Sequence, residues 1–270
     1  MSIVSTNPSI LPGSRRALAC VGRFEVRVAG TPAEVEQAQA LRYRVFVEEL
    51  GARPATHGRD RERAIERDAF DPYCEHLIAR DLATGLVVGT YRILLPERAR
   101  ELGCLYSERE FWLTRIDRLR PRMVELGRSC VASDYRGGTV IRLLWSGLAA
   151  FLSKRDVDYL IGCASVSLED GGLAAAALYR QLAARYLADE SFRVWPRRRL
   201  PVEGGLEDVA RAAEPPPLIK AYLRAGAQLL GEPHHDEAFA CADFPMMLEI
   251  GALTERYRRR FGLDEASVAA

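Results

Sequence analysis

The chain has 270 residues, 48% hydrophobic and 28% charged, which are ordinary globular proportions and enough material to bury a core. A formal net charge of +1 gives no whole-molecule basis for nucleic-acid binding, and no run of about 18 apolar residues is available to cross a bilayer. Six cysteines lie far apart without a C-x-x-C pair, which predicts reduced thiols of a cytoplasmic protein and no metal site.

Residues 1–22 carry Pro, Ser and Gly without periodicity and predict a flexible N-terminal tail, with a single domain over 23–270. Phe24 to Val28 alternates as a strand. Thr31-Pro32-Ala33-Glu34 supplies an N-cap, a proline at the first helical position and an acidic first turn, and the helix it opens should stop near Gly51. Arg53 to Arg67, dense in charge, predicts a mobile loop. Two strands follow, from His76 to Asp81 and from Leu86 to Leu94, joined by a turn at Ala-Thr-Gly. Val124 to Val131 predicts the next strand, Gly138 to Lys154 a helix, Asp158 to Ala164 a buried strand and Gly172 to Leu187 an Ala- and Leu-rich helix. Leu218 to Leu230 reads as a short helix, and Cys241 to Ile250 as a closing strand interrupted by Pro245. The order predicts an α/β fold whose central sheet is mixed and mostly antiparallel, flanked by helices, with a C-terminal helix–strand extension.

The strand ending at Val131 runs through Asp-Tyr-Arg-Gly-Gly directly into a helix. Such a junction seats phosphate, because helix N-terminal N–H groups point outward and the dipole favours an anion. The element order resembles that of the acetyltransferase-like (GNAT) fold, whose corresponding turn reads approximately Arg/Gln-x-x-Gly-x-Gly/Ala and binds coenzyme A. Here Arg136, Gly137 and Gly138 match, but Thr139 and Ile141 stand where the later glycines would be, and both would crowd a pyrophosphate. That departure favours a single phosphate, the 4'-phosphopantetheine arm of an acyl carrier protein, as co-substrate, with no permanently bound cofactor.

Glu125-Leu126-Gly127-Arg128 resembles the Glu-x-x-Arg of the acyl-homoserine-lactone (autoinducer) synthases; Arg42 to Phe46, Asp68 and Asp71, and Gly89 to Arg92 resemble further segments of that group. Seven segments in order, among them LRYRVFVEELGA, FDPYCEHL, LYSEREF, ELGRSCV and PPLIKAYLRAGA, resemble the bacterial L-ornithine N(alpha)-acyltransferase family of ornithine-lipid synthesis. The resemblance implies transfer of a 3-hydroxyacyl group from acyl carrier protein to the α-amine of L-ornithine, giving lyso-ornithine lipid. The alternatives kept open are an autoinducer synthase, an N-acyltransferase for another amino acid, and a non-catalytic carrier-binding module.

Amide formation needs a neutral amine, so a base is required. Glu125 is the candidate, with Arg128 beside it; in a strand, residues three apart face opposite sides, so their sharing a cleft predicts a bulge near Gly127. The alternative for Glu125 is a salt bridge to Arg128. Tyr179 in AALYRQL resembles, in its place along the chain, the tyrosine that many acetyltransferases keep as a general acid, which implies that role here. The donor arm would meet Val131, Arg136, Gly137, Gly138 and Thr139. Arg42, Arg44 or Arg92 suits the acceptor carboxylate and Asp68 or Asp71 its side-chain ammonium; the competing reading pairs those aspartates with those arginines as a structural wall. Cys130 and Cys163 read as small buried hydrophobes, His76 as a structural histidine, and His234-His235-Asp236 as a solvated loop. The Arg197-Arg198-Arg199 run beside Trp195 suits an acidic carrier protein or peripheral contact with the inner membrane.

Overall fold

The computed structural model describes residues 16–54, 60, 62–200 and 213–260. Its centre is a nine-stranded sheet: β1 (Ala19–Val21), β2 (Phe24–Val28), β3 (Glu75–Asp81), β4 (Val87–Leu94), β6 (Met123–Val131), β7 (Tyr159–Ser167), β9 (Gln228–Leu229), β10 (His234–Asp236) and β11 (Cys241–Glu249). The spatial order is β1-β2-β3-β4-β6-β7-β11-β10, with β9 also on β11. All pairings are antiparallel except β6–β7, which is parallel. A separate ribbon joins β5 (Phe111–Trp112) and β8 (Trp195–Pro196). The mixed, mostly antiparallel α/β sheet is the one expected from the sequence.

Helix α1 (Pro32–Arg42) starts as its cap predicts, with the Thr31 side chain accepting from the Glu34 N–H, and runs into a π-helical turn over Tyr43–Glu49. It covers one face of the sheet through Ala38, Leu41 and Val45 on Ile78, Val87 and Cys130. Helix α2 (Pro96–Leu102) begins at a proline and ends at Gly103, φ +88°. Helix α3 (Thr139–Leu152) covers the opposite face, burying Val140, Leu143, Leu144 and Leu148 on Val26, Leu77, Tyr91 and Val124. Helices α4 (Leu173–Tyr186) and α5 (Pro217–Ala225) pack around Phe244 and Met246; α6 (Glu255–Arg260) follows β11.

Several expectations shift. Ala19–Val21 is an edge strand and not part of a tail; the tail reading of 1–15 lies outside the described residues. The end of the charged 53–67 segment is anchored, because Asp60 and Glu66 are buried and ion-paired to Arg67 and Arg42. His234–Asp236 is a strand on β11 and not a solvated loop. Pro245 interrupts nothing: its carbonyl accepts from Leu230 N–H on the outer side, so the donor it lacks also faces away from β7 and the β7–β11 ladder runs through it. Leu218–Leu230 splits, α5 stopping at Gly226, φ +109°, before β9.

Candidate active site

Strands β6 and β7 pair only over Met123–Glu125 and Tyr159–Ile161, then part. The parting point is held by Gly162, where a Cβ would lie 2.4 Å from the Leu126 carbonyl oxygen. Beyond it a cavity of about 630 Å³ opens through the sheet. Side chains alternate along strands, so the two faces give it different walls. The α1 side holds Ser107, Glu110, Glu125, Ser165, Asp236 and Asp243; the α3 side holds Trp145, Leu148, Leu152, Leu160, Met246 and Leu248. Trp145 stacks on Tyr222 at 5.3 Å between ring centres and 7° between planes.

The bulge predicted near Gly127 is present. Thr90 pairs with Cys130 and Arg92 with Gly127, so Arg128 and Ser129 oppose Tyr91 alone. Arg128 has φ +51°, a left-handed conformation that non-glycine residues adopt uncommonly. The extra residue reverses the strand's alternation, so Glu125, Arg128 and Cys130 all face α1. Residues 126–129 therefore line the cavity, while Val131 lies beyond it.

Glu125 is 5% exposed. Its Oε1 accepts from Ser107 N–H (2.7 Å) and Ser107 Oγ–H (2.5 Å), and its Oε2 from Tyr106 N–H (2.6 Å). Burial pushes its pKa up, opposed by the Ser107 hydroxyl and the two N–H groups. It makes no salt bridge to Arg128, whose guanidinium bonds Glu66 Oε1 and Asp68 Oδ2, each at 3.1 Å. Arg128 also lies 4.7 Å from the ring centres of Tyr106 and Phe239.

Beneath this wall sits a buried charge lattice. Arg42, fully buried, contacts Glu66 Oε2 (2.6 Å) and Asp71 Oδ1 (2.8 Å). Arg92 bonds Asp68 Oδ1 (2.6 Å) and Asp71 Oδ2 (3.1 Å). Three guanidiniums thus meet three carboxylates. Burial drives the Asp71 carboxyl up, but Arg42 and Arg92 overcome it and hold it well below the usual carboxylate range. His76, pushed down to about 4 by burial, is neutral and bonds the Asp71 carbonyl through Nε2 (3.2 Å). The structural-wall reading of Asp68 and Asp71 is the one the contacts match: their oxygens are occupied by arginine, so neither is free for a substrate ammonium. Of the acceptor candidates only Arg92 lines the cavity; Arg42 is enclosed and Arg44 is exposed to solvent on the π-helical turn.

Two further expectations are relocated. Tyr179 on α4 packs in the cluster around Leu182 and Phe244 and does not line the cavity, so the general-acid assignment has no geometry behind it. Arg136 is committed to Glu49 (Nη2 to Oε2, 2.8 Å) and to the Val131 carbonyl (Nε, 3.0 Å). Gly137, Gly138 and Thr139 do form the turn before α3: Gly138 has φ +85°, and no side chain caps the helix. The cation over that turn is Arg142, which bonds Thr139 Oγ1 at 3.3 Å and lies 2.7 Å from where a Gly138 Cβ would be.

Cys130 is buried with its thiol pushed up to about 12, and Cys163 donates to Glu110 Oε2 at 3.2 Å, so both remain thiols. Asp236, Cys241 and Asp243 place ligand atoms within 4.8 Å of one another, the metal-type grouping found among the described residues. Sequence reasoning missed Ser107, Glu110, Arg142 and Asp243. The first two stand in LYSEREF, a segment singled out by resemblance without a role.

Residues 41–146 match the acetyltransferase (GNAT) domain model. The chain is similar to a protein of Brucella abortus (strain 2308) named L-ornithine N(alpha)-acyltransferase, 35% identical over 265 residues and covering 93% of each chain. A protein of the same name from Rhizobium meliloti (strain 1021) is 34% identical over 284 residues, covering 98% of this chain and 94% of that one. Among solved structures the AHL synthase LasI is similar with a TM-score of 0.49 and 14% identity, covering 85% of this chain and 91% of that one. On the strength of the two full-length sequence matches, this chain is an acyltransferase and belongs to the L-ornithine N(alpha)-acyltransferase family.

Proposed function

We propose that this chain moves a 3-hydroxyacyl group from the phosphopantetheine thioester of an acyl carrier protein to the α-amine of L-ornithine, yielding lyso-ornithine lipid. The observation that carries the reading is the cavity through the β6–β7 parting, apolar on the α3 side and carboxylate-rich on the α1 side. An acyl chain suits the first wall and a cationic amino acid the second. The donor phosphate is assigned to the uncapped N-terminus of α3, with Arg142 and the Gly137–Gly138 turn as its seat.

The acceptor arrives as an α-ammonium. Glu125 takes one of its protons, directly or through the Ser107 hydroxyl that bonds Oε1 at 2.5 Å. The neutral amine attacks the thioester carbonyl, the C–N bond forms, the C–S bond breaks, and the second amine proton leaves with the thiol product or to solvent. The bulge at Arg128–Ser129, where the ladder gives up a partner, is our candidate source of a backbone N–H donor to the developing oxyanion. Arg128, with Arg92 behind it, suits the acceptor carboxylate.

A long-chain product belongs in a membrane. Among the described residues no helix is long and apolar enough to cross one. Trp112 and Trp195 pair across β5–β8, 53% and 41% exposed, with Arg197 3.6 Å and Arg115 4.6 Å from their ring centres. Exposed tryptophan with arginine suits the headgroup layer of an anionic surface, and we assign that ribbon to it.

The test of the donor and the base is steady-state turnover with 3-hydroxyacyl carrier protein or the matching acyl-CoA, for the native protein, Glu125→Gln and Ser107→Ala. The reading expects a preference for the carrier-bound donor and a large fall in kcat for Glu125→Gln. Equal use of both donors would remove the carrier protein from the reading; undiminished kcat in Glu125→Gln would remove the base.

A further inference from the structure

We propose that Glu110 and Asp243 form the receptor for the side-chain ammonium of the acceptor, and that this pair selects a diamino acid over an amino acid with an apolar side chain. The inference rests on the acyl-transfer reading of the same cavity.

Seven carboxylates are buried among the described residues. Asp60, Glu66, Asp71 and Asp81 each meet an arginine. Glu125 meets no cation but has three N–H and O–H donors. Glu110 and Asp243 differ: they are 4% and 5% exposed, both line the cavity, and neither forms an ion pair among the described residues; Arg128, the cation that acts on both, is bonded to Glu66 and Asp68 instead. Glu110 Oε2 accepts only the weak Cys163 thiol at 3.2 Å; Asp243 Oδ1 accepts from Ser165 Oγ at 2.6 Å and from the Cys241 thiol at 3.6 Å. Asp236, at the same end of the cavity, is held by the N–H groups of Ala238 and Phe239.

A buried carboxylate without an ion-pair partner is costly, and two that act on each other more so. Burial pushes Asp243 up to about 6, and burial followed by Asp243 raises Glu110 well above its ordinary value. Both carboxyls stand on the wall of a cavity, where an entering cation would favour their ionised forms.

The placement also matches the acceptor. Ile161 is the register partner of Glu125, and Cys163, bonded to Glu110, is two residues further along β7. Glu125 Oε1 accepts from Ser107 Oγ (2.5 Å), Ser107 Oγ lies 3.9 Å from Cys163 Sγ, and Cys163 donates to Glu110 Oε2 (3.2 Å), so the two carboxylates are linked by a short run of contacts on the scale of a three-carbon side chain ending in an amine. The δ-ammonium held there stays charged, and a protonated amine is no nucleophile. Selection of the α-amine follows from the same contact.

The experiment compares ornithine with norvaline, which lacks only the side-chain amine, as acceptors for the native protein, Glu110→Gln and Asp243→Asn. The quantity read is the ratio of kcat/KM for the two acceptors on one preparation, which does not depend on the folded fraction. The native ratio should exceed about a hundred and each variant should lower it at least tenfold, as for loss of a charge-assisted hydrogen bond. A ratio unchanged within twofold would overturn the inference while leaving the activity in place. No acylation of any amino acid by the native protein would overturn the activity reading itself, a distinct result. If a variant turns over neither acceptor, thermal stabilisation by each amino acid reads the same preference from binding alone, and ornithine stabilising the variant as strongly as the native protein would count against the pair.

Discussion

Replacing Asp71 by asparagine keeps the side chain's size and removes one charge from the lattice beneath the site. Arg42, Arg92 and Arg128 then face only Glu66 and Asp68. Arg42 and Asp71 are 1% and 3% exposed, and Arg92 is 5% exposed, so solvent does little to screen the surplus. Removing one partner of a buried ion pair costs about 3–5 kcal/mol. For a domain of this size that is a fall in Tm of roughly 6–20 °C, read by calorimetry or by urea titration. The pH dependence has a fixed sign. The folded Asp71 pKa lies below the unfolded one, so its stabilisation is complete above the ordinary carboxylate range and fades as pH falls through the folded value. The gap between native and variant should therefore be widest near neutrality and narrow in acid. Arg42→Gln added to Asp71→Asn restores the balance and should cost less than the two single changes summed. A loss under about 1 kcal/mol at pH 7, the value of an exposed pair, would refute the lattice as a support of the site.

Gly162→Ala should lower both stability and turnover, because its Cβ meets the Leu126 carbonyl and must push β6 from β7 where they part; unchanged melting and kcat would show the strands yield freely. Ser107→Ala removes the hydroxyl bonded to Glu125 and should lower kcat about ten- to a hundredfold with little change in KM, checked by initial rates. Arg142→Ala should raise the KM for the carrier-bound donor more than Arg136→Ala does, since Arg136 is already paired with Glu49. Trp112→Ala with Trp195→Ala should weaken co-sedimentation with vesicles containing anionic lipid, and equal sedimentation would dismiss the ribbon as a membrane contact.

What the sequence exposes here is local. The Glu125–Arg128 spacing demands a bulge if both residues serve one cleft, and the structure has it at Arg128–Ser129. Helix α1 is announced by Thr31, Pro32 and Glu34 within four residues. The strand–turn–helix at Gly138 is equally compact. What the sequence hides is long-range. Ser107 reaches Glu125 across 18 positions, Cys163 reaches Glu110 across 53, and Ser165 reaches Asp243 across 78. Ser107 and Glu110 sit in and directly after a short 3-10 turn over Tyr106–Arg109, which has no period to read. Tyr179 misled because a tyrosine on a helix of the right rank says nothing about which side of the sheet edge that helix packs on.

The most direct measurement is mass spectrometry with fragmentation of the product formed by the purified protein from 3-hydroxyacyl carrier protein and an equimolar mixture of ornithine, lysine and glutamine. The account predicts ornithine carrying one acyl group on its α-nitrogen as the main product. Acylation of the side-chain nitrogen, or preference for lysine or glutamine, would contradict it.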